Sequence, residues 1–351
     1  MLEANNTPLP ALGFEQLRPD GRSMAVVTAR ARVRIDPDGL QFLDPNCELV
    51  LADVFVDDPH KSDMIACNDL IPFKPMSDLT LRGAIISDKP RKSLEASVMI
   101  GDCTAQLRAR GARTWIHDEK WQMTDPDPID RVELSWTRAA GGRVIGHPDG
   151  EVDARNPIGP GVLHKDFTPT NLKFEAPQID SGAAPVGKTP FRSVVPQGFG
   201  LVPPWWESRS AFVGTYDDDW KENVHPRLPV DFDYRHYQVA PPELQLDHYL
   251  EPGMTITVDG MRPEGRFSMS IPDMVPFATY NFSDGRTIEV RLNLDGCHLD
   301  MSGETVRFDL TWRAWVELCP SFSHIDLNVE RSAALEGRGV LKSTEDGVAQ
   351  P

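Results

Sequence analysis

The stretch PPWWESRSAFVGTYDDDWKENVHPRLPVDFDYRHYQVAPPE, residues 203–243, gathers more chemically able side chains than any other part of the chain. It holds Asp217, Asp218, Asp219, Asp231 and Asp233, together with His225 and His236. Asp231, Asp233 and His236 form the kind of set a hard divalent cation takes, and a metal- or carboxylate-dependent hydrolase would use them so. The set lacks the fixed helical spacing of HExxH and the graded oxygen ligands of an EF-hand. A structural reading asks for less: the carboxylates cap turns and pair with Arg209, Arg227 and Arg235. Asp231 and Asp233 flank Phe232, so an extended backbone points both carboxylates one way and the ring into the core. On that reading Asp231 sits in a buried pair whose loss lowers stability, and the chain carries no catalytic residue, metal or cofactor.

Nucleophilic chemistry finds little support. Cys67 and Cys103 have no histidine beside them in sequence, and there is no GxSxG elbow. Gly198 and Gly200 belong to no GxGxxG or GxxxxGK[ST] loop. Gly141-Gly142 and NPIGPG (156–161) are glycine-rich, but the prolines remove backbone donors that a phosphate cradle requires.

The aromatics of the same stretch have two readings. Trp205, Trp206 and Trp220 either form a recognition surface or seal a small core beneath a long loop. Arg30, Arg32 and Arg34 alternate along one strand, which predicts a solvated sheet face or a docking stripe for an acidic partner.

The elements that position these residues are strands. Ala25, Val27, Ala29, Ala31, Val33 and Ile35 alternate with Thr28 and the three arginines. Leu94 to Ile100 and Cys103 to Ala109 alternate on either side of Gly101-Asp102, a hairpin signal. Val132, Leu134 and Trp136 mark another strand. In the last third, Ile288 to Leu294 run to an expected turn at Asp295-Gly296, and Ser302-Gly303 turns the chain into Val306 to Trp312. A further hairpin is expected around Asp259-Gly260. The pattern predicts a mainly β fold of two antiparallel sandwich-like halves with few helices. The expected organisation is an arm at 1–20, a β-rich half at 21–145, an irregular connecting segment at 146–230, a second β-rich half at 231–330 and a frayed tail at 331–351. Twelve of the 31 prolines lie from Pro148 to Pro229, yet the aromatics there argue for packed structure.

Composition narrows the function further. The 351 residues carry 36 Lys and Arg against 53 Asp and Glu, a net charge of −17, which disfavours nucleic-acid and anionic-membrane partners. The first twenty residues lack a signal peptide's basic start and apolar run, and no stretch of about 18 apolar residues occurs. Five scattered cysteines without a CxxC pair point to reduced thiols and a cytoplasmic location.

Five segments occur in a telling order: NDLIPFKPMSDLTLRG (68–83), WTRAAGG (136–142), NPIGPG (156–161), WESRSAFVGTYDDDW (206–220) and RLPVDFDYRHYQVAPPE (227–243). Together they resemble the bacterial family built on domain of unknown function 2169, often encoded beside type VI secretion spike proteins. The resemblance runs from about residue 20 to about residue 330. Its structural motif positions are Lys74, Asp78, Gly141, Gly142, Asn156, Pro157, Gly159, Gly214, Asp231 and Asp233. The chain departs from the family pattern at Ala240-Pro241-Pro242-Glu243, where Asp-Gln usually follows the Ala-Pro pair. The resemblance implies a bacterial adaptor or chaperone that holds a toxic effector and helps load it onto the VgrG–PAAR spike. The expected docking residues are Trp205, Trp206, Arg209, Tyr216, Asp217, Asp218, Asp219, Trp220 and Tyr237.

Overall fold

A computed structural model describes residues 1–36, 39–147, 149–167, 171–187, 189–191, 194–333 and 341–342. Strands take 44 % of the chain and helix 7 %, and no helix among the described residues reaches seven residues. The chain is mainly β, as its alternation predicts. Among the described residues no helix is long and apolar enough to cross a membrane.

The central sheet is built from β1 (Ala11–Leu17), β2 (Ser23–Ile35), β3 (Gln41–Leu43), β4 (Asp78–Arg82), β5 (Asn293–Asp300) and β6 (Val306–Glu317). Its order is β1-β2-β6-β5-β4, and β3 pairs with the end of β2. β2 and β6 run antiparallel from Met24 opposite Glu317 to Ile35 opposite Val306. The two β-rich stretches therefore share a sheet instead of each keeping its own. A second sheet is mixed in the same way, because Ser93–Ile100 pairs with Cys103–Arg110 on one side and Thr255–Asp259 on the other. A third joins Leu2–Asn5 to Phe322–Glu330, Val275–Phe282, Thr287–Arg291 and Leu341–Lys342. One apolar core runs through all three, with Val27, Val98 and Ile325 among its members. Alternation reports which face of a strand is buried; it carries no information about which strand lies alongside.

The hairpin at Gly101-Asp102 forms as its sequence dictates, with Cys103 opposite Ile100 and Gly101 at φ 53°. Thr255–Asp259 and Phe267–Ser270 also pair as a hairpin. The turn expected at Asp295-Gly296 is instead an irregularity inside β5, where the register with β6 shifts between Leu294 and Gly296. Trp136 leaves the strand at Glu133 and opens a short 3-10 turn, Trp136–Arg138, capped by Ser135.

The arginine face of β2 is solvated only toward its end, where Arg34 is exposed and Arg32 half-buried; Arg30 is buried. Odd-numbered β2 residues and even-numbered β6 residues such as Phe308, Leu310 and Trp312 enter the main core. The opposite face carries Arg30 and Arg32 of β2, Asp309 and Arg313 of β6, His298 of β5 and Asp78 and Thr80 of β4. Asp69 and Lys74, from the segment that follows Ala66, bury themselves against this face. Arg30, Asp69, Lys74, Asp78, Asp295 and Arg313 are all buried.

Residues 203–243 contain only brief helical turns: Glu207–Ser210, Trp220–Val224, Tyr234–Tyr237 and Pro242–Leu244. Phe199, Leu201, Val202 and Trp206 are buried, so this irregular part of the chain is packed. The tail expected to fray lies for the most part outside the described residues.

Candidate functional site

Two arrangements in the molecule have the density of polar or aromatic groups that function requires. The first is the charged face of the central sheet. Arg30 reaches Asp69 at 3.0 Å and Asp309 at 2.6 Å, and Arg32 reaches the other oxygen of Asp309 at 2.7 Å. Arg313 is paired with Asp295 and donates from Nε to the Asp69 carbonyl at 3.2 Å. Lys74 Nζ lies 2.9 Å from Asp78 Oδ2, and its backbone N–H donates to Asp295 Oδ2 at 3.1 Å. Four cations thus face four carboxylates. Burial is the largest influence on Lys74 and works against its charge, but Asp78, Cys67 and Asp295 together outweigh it and the ammonium is held above its ordinary range. Asp295 goes the other way, raised by burial in spite of Arg313 and Lys74. Burial pulls the His298 imidazole down to about 4.

A cavity of about 30 Å³ lies within this network, lined by Arg30, Cys67, Lys74, Asp78, Thr80 and His298 among others. That is room for a water or two and for no organic substrate. Since each charge already meets an opposite one, the network specifies how the segment carrying Asp69 and Lys74 seats on the sheet. Sequence reading found Lys74 and Asp78 through the motif and missed Arg30, Asp69, Asp295, Asp309 and Arg313 as partners. The available signal was charge at interior positions of strands that are otherwise apolar.

A glycine-asparagine interlock is the second motif the structure explains. Asn156 Nδ2 donates to the carbonyls of Trp136 at 2.8 Å and Ala140 at 2.9 Å, while its own carbonyl accepts from Gly142 N at 2.7 Å. A Cβ at Gly142 would stand 1.9 Å from Gly159 O, and one at Gly141 2.3 Å from Asn156 O. Pro157 follows Asn156 in the same tight turn. These residues join WTRAAGG to NPIGPG by close backbone approach, with no open cradle for a phosphate.

The second dense arrangement is the aromatic segment. Its residues divide between core and surface. Trp206 is 1 % exposed and meets Trp136 edge to face at 5.3 Å. Arg209 is also buried, donating from Nε to His236 O at 2.9 Å and from Nη1 to Val202 O at 2.7 Å. Burial lowers the affinity of this guanidinium for its proton. Tyr237 is half-buried beside Phe232, and its hydroxyl is pushed up by burial. Trp206 and Arg209 are thus core groups, while Tyr237 keeps part of its surface open.

Trp205 is different: it is 38 % exposed and stacks on Phe55 at 5.5 Å, with His60 5.2 Å away. Phe55 belongs to a two-residue strand, Val54–Phe55, whose neighbours Val54 and Val56 are themselves exposed, as is Leu51. Asp57 beside them is exposed. This apolar, acid-flanked surface joins the segment around residue 205 to that around residue 55, and only its Trp205 half was legible beforehand.

Further along, Tyr216 is half exposed and packs on Trp220 at 4.5 Å, whose Nε1 donates to Arg227 O at 2.9 Å. Asp217 Oδ1 accepts from Trp220 N and Asp219 Oδ1 from Asn223 Nδ2, both at 2.8 Å. Asp218 is exposed beside them.

The remaining carboxylates act on their own turns. Asp231 accepts from Thr215 N at 2.9 Å and Thr215 Oγ1 at 2.7 Å, across Gly214, where a Cβ would stand 2.9 Å from Asp231 Oδ1. Those bonds hold its carboxyl below the usual range. Asp233 caps Tyr234–Tyr237 and pairs with Arg235 at 2.5 Å, while His236 Nδ1 lies 3.0 Å from Arg209 O. Phe232 does enter the core, as its flanking aspartates predict. Of the roles expected for the two carboxylates, accepting a turn's backbone N–H is seen at Asp231 and pairing with Arg235 at Asp233. No buried pair joins Asp231 to Arg209, because Asp231 is exposed and Arg209 donates to carbonyls. Among the described residues no group of three or more His, Cys, Asp or Glu side chains is disposed to hold a metal ion.

Comparison with known proteins adds one finding. Residues 20–313 match a family described as "Uncharacterized protein conserved in bacteria (DUF2169)". Neither the curated proteins nor the solved structures contain a match. With the greater part of its length covered by that match, the chain belongs to the DUF2169 family.

Proposed function

We propose that the protein is a non-enzymatic adaptor that binds a type VI secretion effector and helps load it onto the VgrG–PAAR spike in the bacterial cytoplasm. The observation that carries this reading is the surface around Trp205. A partly exposed, stacked Trp205–Phe55 pair is the composition of an aromatic docking anchor, and the exposed Leu51, Val54 and Val56 lie close to Phe55 in sequence. The net charge of −17 favours a basic client and speeds its approach. Asp231, Asp233 and His236 have their polar atoms engaged by Thr215, Arg235 and the Arg209 carbonyl, which supports an architectural role for them.

The test is affinity capture with tagged full-length protein from its native host, followed by identification of the co-purifying chains. An effector together with VgrG or PAAR proteins is expected, and Trp205→Ser should release the effector while lowering the melting temperature only slightly. Recovery of neither class of partner, together with a metal-dependent hydrolysis lost in Asp231→Asn, would replace the adaptor with an enzyme.

A further inference from the structure

The central sheet closes one of its edges and leaves another open. At β4, Leu81 N donates to Phe199 O at 2.7 Å and Asp78 bridges to Gln245, so that edge is covered. At the other end of the sheet, β3 pairs with β2 and, among the described residues, with no other strand. All three of its side chains are exposed, Phe42 at 50 % and Leu43 at 41 %, and Leu40 just before them is at 59 %. Natural edge strands are shielded by lysine, proline or a bulge. β3, reading Gln-Phe-Leu, has none of these.

Hydrogen bonding fixes which backbone groups face outward. Asp36 N donates to Leu40 O at 3.0 Å and Asp44 N to Arg32 O at 2.8 Å, and Phe42 lies opposite Arg34 between them. Residues 40, 42 and 44 therefore turn their backbone groups toward β2. By the alternation of an antiparallel ladder, Gln41 and Leu43 turn theirs away from it. The Gln41 side chain is tied down, donating from Nε2 to Ser270 O at 2.9 Å, which holds the edge in place.

We infer that β3 accepts an extended segment of a partner protein as an added strand, and that this segment alternates apolar with basic residues. The alternation follows from the pleat. Leu43 lies on the face of Val33, which belongs to the main core, so an added strand meets apolar surface there. The other face carries Phe42 with Asp36 and Asp44, which bracket β3, and Glu48 is exposed close by in sequence. The arginine opposite Phe42, Arg34, has Asp44 3.8 Å away. Lysine or arginine on the incoming strand would complement these acids and lie against the Phe42 ring. A second copy of this chain is the weaker occupant, since it would bring the same acids and another net charge of −17 to the edge. The inference is independent of the adaptor reading, because an adaptor could use the Trp205 surface alone and leave β3 empty.

The experiment uses the full-length protein and a synthetic peptide of alternating lysine and valine, with two controls: the peptide N-methylated at alternate residues, and its glutamate-for-lysine counterpart. Hydrogen exchange is followed at Gln41 and Leu43. The lysine peptide should slow exchange at both by at least about tenfold, and neither control should do so. Leu43→Pro removes an outward N–H without touching the ladder to β2, and should weaken binding by about tenfold or more. Should that variant fold poorly, Leu43→Lys keeps the backbone and sets a charge against the apolar residues of the incoming strand, and the same loss is expected. Equal binding by wild type and variants, or binding without protection at Gln41 and Leu43, overturns the inference. So does equal binding of the glutamate peptide. Protection of both amides before peptide is added also overturns it, whether it persists on dilution, showing an edge filled from within, or fades with a dissociating dimer.

Discussion

The Lys74 ammonium lies 2.9 Å from Oδ2 of Asp78, four residues on, and that same oxygen accepts the backbone N–H of Val239 at 2.6 Å. One carboxylate therefore fastens the motif around residue 74 to the motif around residue 239. Tyr249 adds a second tie, its hydroxyl donating to the Lys74 carbonyl at 2.7 Å.

Removing the cation from this arrangement leaves Asp78 buried and unpaired. Lys74→Met should cost about 3–5 kcal/mol in chemical denaturation, the usual penalty for breaking a buried ion pair from one side. Replacing both partners together, Lys74→Met with Asp78→Leu, should cost less than the sum of the two single changes. Additive losses would mean that the two charges do not act as a pair.

The adjacent tryptophans make a controlled comparison. Trp206→Ala empties a core site beside Trp136 and should destabilise by about 3–5 kcal/mol. Trp205→Ala gives up one exposed ring stack, worth about 1 kcal/mol. Thermal melts of the two variants should differ by many degrees, and coincident melts would contradict the assignment of one ring to the core and the other to the surface.

At Gly142, φ is +92° and a Cβ would meet Gly159 O at 1.9 Å. Gly142→Ala should lose about 3 kcal/mol or more, since strain and backbone collision add. Gly253 has a comparable φ of +82° with open space around it, so Gly253→Ala should show the conformational cost alone, about 1 kcal/mol. Denaturation midpoints of the pair separate the two contributions.

His298 supplies one part of the pH dependence. Burial lowers its pKa from 6.5 to about 4, against the opposing pull of Asp309 and Asp300. Between these two values the unfolded chain binds a proton that the folded chain refuses, so stability rises with pH across the window. The contribution is complete above 6.5 and is lost as the pH falls toward 4, by roughly 3 kcal/mol. His298→Gln should flatten the stability curve within that window. Asp309 and Asp300 are held below 3.8 and so act only at more acid pH.

Local chemistry was legible in the sequence wherever it is self-contained. Gly101-Asp102 makes its hairpin because the flanking alternation and the glycine agree. Phe232 is buried between two outward aspartates for the same reason. What could not be read is identity at a distance. Arg30 looks solvated in a list of alternating residues and is buried because Asp69 and Asp309 arrive from elsewhere. Asp295-Gly296 has the composition of a turn, yet Arg313 and Lys74 hold Asp295 inside a strand. The Trp205 surface was half visible, since Phe55 and His60 lie far away in sequence.

The pairing of β2 with β6 has a consequence for biosynthesis. Val27, deep in the sheet, faces Ala314, so the strand that β2 needs is made 287 residues after it (314 − 27). A nascent chain can pair one side of SMAVVTARARVRI with β1 and β3, but the side that takes β6 stays open until that strand is made. Closing so long a loop is slow, and an open edge of that character is prone to aggregate while it waits. Until β6 is made, the open side of β2 depends on some other shield.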